Sequence, residues 1–110
     1  SCTMGEDTQG IEQGGEMSYQ EILTKLETIL KERETSYGDA RESHERIAAR
    51  WNAVLNQKLS SDITGYDVAR MMVELKLARL DNAGVHKDSL MDAANYLVIA
   101  LRLGVDDASK

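Results

Sequence analysis

From Ser18 onward, apolar residues recur at helical spacing in four stretches separated by short polar breaks. In the first stretch Ile22, Leu23, Leu26, Ile29 and Leu30 form one stripe. Ser18 reads as its N-cap, and Glu21, three residues on, completes a capping box. The spacing predicts that this helix ends near Thr35, because Ser36-Tyr37-Gly38-Asp39 is turn chemistry. A second helix is predicted from Ala40 to Leu59, with Ile47, Trp51, Val54 and Leu55 on its buried face. Thr64-Gly65-Tyr66-Asp67 reads as another capping box and opens a third helix. That helix carries Val68, Met71, Met72, Val73, Leu75, Leu77 and Leu80, is apolar nearly all the way round, and stops at Asn82-Ala83-Gly84. The fourth is predicted from Lys87 to Leu103, with Gly104 as its C-terminal stop.

Two amphipathic helices followed by two apolar ones predict an all-α fold with a four-helix core. The last two are too apolar for a lone bundle of this size, so a homodimer or homotetramer is expected to bury them. The domain should span residues 18–104. Residues 1–17, with four glycines and several acids, read as a disordered tail, and 105–110 as a short polar tail. Ser1-Cys2-Thr3 reads as a cloning remnant, which leaves Met4 or Met17 as the natural start. Trp51 is expected to be the main aromatic anchor of the core, and the Met71-Met72 pair ordinary core packing.

Composition narrows the function. The 110 residues hold 42% hydrophobic and 29% charged positions, ordinary for one soluble domain. A net charge of −6 argues against non-specific nucleic-acid binding, which needs a basic surface. No apolar run approaches the ~20 residues that cross a bilayer, and no secretory leader is visible, so neither membrane nor export is expected. Cys2 is the only cysteine, which excludes an intrachain disulfide or a cysteine metal cage and fits a reducing cytosol. Neither His44 nor His86 has metal-ligand spacing around it: His44 is expected on a helix surface, His86 in a loop or cap. There is no Gly-rich phosphate loop and no nucleophile elbow.

Three constellations remain. On the fourth helix, Asp88, Asp92 and Asn95 fall within about 60° of one another, with Tyr96 at the edge. Leu90, Met91, Ala94, Leu97, Val98 and Leu101 take the opposite side. Carboxylates on such a helix are costly unless they are paired or metal-bound, so this polar stripe is expected to face a cleft or a partner helix. Glu42 and Glu45 share a face of the second helix, where they are metal candidates or simply first-turn acids in i,i+4 pairs with Arg46 and Arg41. Lys76 and Arg79 lie on the third helix and need acidic partners, most simply Asp88 and Asp92. In one reading these four form a structural ion-pair network. In the other, Lys76 and Arg79 hold phosphate oxygens while the acids hold a divalent cation. Tyr37, beside Gly38, is either a turn residue or a ligand-stacking one.

Three segments resemble a group of small uncharacterised phage and prophage proteins, some described as nucleotide-modification-associated. They are Ser36 to Glu42, Asp67 through Leu80 with its Lys76-x-x-Arg79, and His86-Lys87-Asp88 to Asn95-Tyr96. The resemblance covers residues 35–103. More distantly, the layout is similar to the all-α MazG-like nucleoside triphosphate pyrophosphohydrolases, which hold magnesium on an E-x-x-E pair and a later E-x-x-D pair. That resemblance implies a MazG-like four-helix fold in the host cytoplasm, Mg2+ (or Mn2+) as cofactor and a nucleotide ligand. Glu42, Glu45, Asp88 and Asp92 would be the metal ligands, with Glu45 and Asp92 catalytic. Lys76 and Arg79 would bind phosphate, and Tyr37, Asn95 and Tyr96 the nucleoside. Ser89 stands where that family has a glutamate, so the alternative is a degenerate module that sequesters a nucleotide or a partner protein.

Overall fold

The computed structural model describes residues 17–109, all of whose regular structure is helical. The expected polar tail, with Cys2 and Met4, lies outside the described residues apart from Met17, as does Lys110. The helices are α1 (Tyr19–Tyr37), α2 (Ala40–Leu55), α3 (Gly65–Ala83) and α4 (Lys87–Ala108), with a 3-10 turn at Asn56–Lys58.

Both capping boxes form. The Ser18 hydroxyl accepts from Glu21 N–H at 3.1 Å, and the Glu21 carboxylate accepts from Ser18 N–H at 2.8 Å. Hydrogen bonds from Ser18 to this carboxylate, the backbone one foremost, hold the Glu21 carboxyl below its ordinary range. Thr64 and Asp67 make the same reciprocal pair. Gly38 ends α1 two residues later than expected, at φ 82°, a value glycine adopts without steric cost. α2 ends earlier, at Leu55, because Asn56 turns to φ 47°. Asn52 then fixes the loop back to α3: its amide donates to Ile63 O at 2.9 Å and accepts from Ile63 N–H at 2.7 Å.

The expected stop at Gly104 does not occur, and α4 continues through Ala108 into the expected polar tail. Gly104 sits inside the helix because Tyr66 packs against it. A Cβ there would lie 3.0 Å from the Tyr66 ring. The glycine serves close packing rather than termination.

α3 and α4 form the central pair, α2 packs chiefly on α3, and α1 lies more loosely over α2 and α4. Small residues permit the close approach: Ala69, Ala93 and Ala100 are buried with Val68, Val73, Ile99 and Leu103. The aromatics packed on this core are Tyr66 and Tyr96. Trp51 is only half-buried and Val54 is 80% exposed, so the expected aromatic anchor and part of the α2 face fall outside the core. α4 turns Asp92, Asn95 and Tyr96 inward and leaves Leu90, Leu97, Leu101 and Val105 exposed. Met71, Leu75 and Leu77 of α3 are exposed as well. The molecule is elongated, 55 × 32 × 25 Å.

Candidate functional site

The inward stripe of α4 meets α1 and α3 at Asp92. Lys76 Nζ lies 3.1 Å from one Asp92 oxygen, and an Arg33 guanidinium nitrogen lies 3.6 Å from the other. Lys76 keeps only 13% of its side chain exposed, so this pairing compensates a largely desolvated ammonium. Arg33 also sits 4.9 Å from the centre of the Tyr96 ring, one turn along α4, as a cation–π contact. Tyr96 in turn meets His44 of α2 edge-on, with ring centroids 6.2 Å apart. One connected polar cluster thus joins all four helices.

His44 is buried, not on a helix surface as its charged neighbours suggested. It shares the stripe of Ile47, Ala48 and Trp51, which carries it inward. Its Nδ1 lies 2.9 Å from Ala40 O, so this nitrogen carries the proton and Nε2 is left as an acceptor. Nε2 has no partner among the described residues. Burial, reinforced by the Arg33 charge and opposed by the Ala40 carbonyl, holds the imidazole below its ordinary pKa of 6.5. The unfolded chain therefore takes up a proton near pH 6.5 that the folded chain refuses. His44 contributes its full stability above that pH, and the contribution falls as the pH drops towards the depressed folded value. Urea midpoints at pH 7.5, 6.5 and 5.5 should decline, and His44→Gln should remove part of that slope.

Between α1 and α2, over Met72, Tyr96 and Ile99, lies an open cleft of about 910 Å³. His44 and Tyr96 line it with Leu30 and Ile47, and Arg46, Arg50 and Arg102 line it too. Tyr37, 73% exposed at the end of α1, belongs to the same cleft. Asn95 is fully buried, and neither its amide oxygen nor its nitrogen has a partner among the described residues.

The other expected site residues are placed differently. Asp88 is exposed and shares a pocket of about 240 Å³ with Asp92, Lys25 and Lys87. Arg79 is exposed and stands outside the Asp92 cluster. Glu42 is exposed, and Glu45 pairs with Arg41 at 3.1 Å. Arg41 is also bound to Asp107 at 3.1 Å, near the C-terminus of α4. Asp107 lies roughly 22 Å beyond Asp92 along that helix axis. Ser89 is buried and spent on the helix start, 2.8 Å from His86 Nδ1, where His86 caps α4.

The described residues do not bring together the four-carboxylate set that the more distant resemblance implies. Among the described residues no three acidic, histidine or cysteine side chains converge. Glu42 and Glu45 do not join Asp88 and Asp92, and the Asp92 oxygens already face two cations.

Residues 21–104 match the model of a protein family described as "Domain of unknown function (DUF6378)". The chain belongs to this family. It is 46% identical over 76 residues to the Gene 55 protein of Mycobacterium phage L5, a match covering 68% of this chain and 47% of that protein. It is 37% identical over 76 residues to the Gene 55 protein of Mycobacterium phage D29, covering 68% and 48%. The chain thus spans about half the length of these phage relatives. No solved structure matches it. Within this domain of unknown function, no described helix is long and apolar enough to cross a membrane.

The motifs do not mark Arg33, His44, Arg46 or Arg50 as site residues. Two of them carried a signal. Arg33 continues the Leu26–Leu30 stripe of α1 and His44 the Ile47–Trp51 stripe of α2, so each is a polar residue at an apolar position. Arg46 and Arg50 became visible only when α1 and α2 diverged around a cleft.

Proposed function

We propose that this phage-type domain is a nucleotide-binding module whose ligand occupies the α1/α2/α4 cleft. The observation that carries the reading is His44 Nε2, a buried acceptor without a partner among the described residues, beside Tyr96 in a cleft bordered by arginines. A neutral acceptor, an aromatic ring, apolar walls and guanidinium groups together suit a ligand that is part flat ring and part anion. Lys76 and Asp92 hold the site rather than the ligand, because each already has the other as its partner.

Metal-dependent pyrophosphohydrolysis is the reading carried by the more distant resemblance, and it requires carboxylates that the described residues of one chain do not gather. The exposed leucines and valine of α4 support a homo-oligomer, and only in such an assembly would the hydrolytic reading stand. The binding module needs no such completion.

Calorimetric titration of the chain in EDTA-containing buffer with ribo- and deoxynucleotides tests the proposal. Saturable binding is expected without metal. A parallel assay with magnesium or manganese should show no pyrophosphate release from the monomeric chain. Heat changes indistinguishable from dilution for every nucleotide would refute the module.

A further inference from the structure

The cationic side chains of the cleft differ in how far they are already neutralised. Lys31 pairs with Glu27 at 3.6 Å, Arg33 with Asp92 at 3.6 Å, and Arg102 with Glu34 at 3.9 Å. Arg46 and Arg50 have no carboxylate within the same reach among the described residues. They are four residues apart on α2, so their guanidinium groups project from one face towards the same part of the cleft. The facing wall, α1, contributes Glu27, Glu32 and Glu34. The two cations with no carboxylate in reach therefore both lie on the α2 side, while Arg33 shares the single Asp92 carboxylate with Lys76.

We infer that the ligand is a nucleoside monophosphate: Arg46 and Arg50 hold one dianionic phosphate while the ring rests by Tyr96 and His44. This rests on the nucleotide-binding reading and adds the ligand's class to it. Two guanidinium groups balance a phosphate monoester, which offers the several acceptors they need. A triphosphate carries about four negative charges near neutral pH, more than Arg46 and Arg50 balance, and Glu32 on the α1 wall adds repulsion. His44 Nε2, with its proton on the other nitrogen, takes a hydrogen bond from an N–H donor of the kind every nucleobase has. The cleft is ample for a ligand of this size.

The test titrates the full chain, in EDTA, with a nucleoside, its 5′-monophosphate and its triphosphate. The monophosphate should bind about tenfold or more tighter than the nucleoside, the worth of a charge-assisted contact. The triphosphate should bind no tighter than the monophosphate. Arg46→Gln and Arg50→Gln change exposed side chains and should keep the native circular dichroism. Each should erase most of the monophosphate advantage and leave nucleoside binding nearly unchanged. A triphosphate that outbinds the monophosphate tenfold overturns the inference while the nucleotide-binding reading stands. So does a monophosphate advantage that survives both substitutions. Absence of binding by all three ligands removes both.

Discussion

Asp92→Ala should cost about 2–3 kcal/mol of folding stability, read as a lower urea midpoint with an unchanged slope. The loss arises less from the missing contact than from what remains. Lys76, with 13% of its side chain exposed, would keep a desolvated ammonium without its 3.1 Å partner. Arg33, 30% exposed, would lose its counter-charge as well. The figure sits below the ~3–5 kcal/mol of a fully buried broken pair because Asp92 keeps 29% exposure. Lys76→Met in the same chain should recover most of the loss by removing the stranded charge and retaining an apolar stem. Were Asp92 a ligand residue instead, stability would hold, nucleotide binding would fall, and the second substitution would rescue nothing.

Leu103→Ala is expected to cost about 3 kcal/mol and to lower the thermal midpoint by roughly 10 °C or more. Leu103 is 1% exposed and packs with Ala69, Ile99 and Ala100 where α3 and α4 meet. Ala40, Ala69 and Ala100 beside it are too short to move into the vacated space, so part of the cavity would persist. The described core is small, and one leucine is a large part of it. Leu103→Met, which keeps the volume, should cost less than ~1.5 kcal/mol. Equal losses for both substitutions would mean that shape, not cavity volume, governs this site.

Helix starts were legible where the signal was local. Ser18 with Glu21 and Thr64 with Asp67 are complete capping boxes within four residues, and nothing distant interferes with them. Helix ends were less so. Gly104 has the composition of a stop, yet its neighbour in space is Tyr66, thirty-eight residues away, and that packing keeps α4 running. The Lys76–Asp92 pair was legible because a short connection forces α3 and α4 to lie side by side. Arg33, the second partner of Asp92, comes from α1 across the fold. The spacing of Glu42 and Glu45 marks a shared helix face but cannot bring that face to Asp92. Arg41 instead ties Glu45 to the far end of α4.

Spacing along one chain suffices for the helices, their N-terminal capping boxes, the polar stripe of α4 and its need for a cation. The tertiary structure decided which polar residues became neighbours. It sent His44 inward, turned the leucines of α4 outward, kept the carboxylates apart and opened the arginine-lined cleft between α1 and α2. The reason is geometric. Periodicity fixes a side chain's angle about its own helix axis, whereas the crossing of two helices, set by side-chain packing at their contact, fixes what that angle faces.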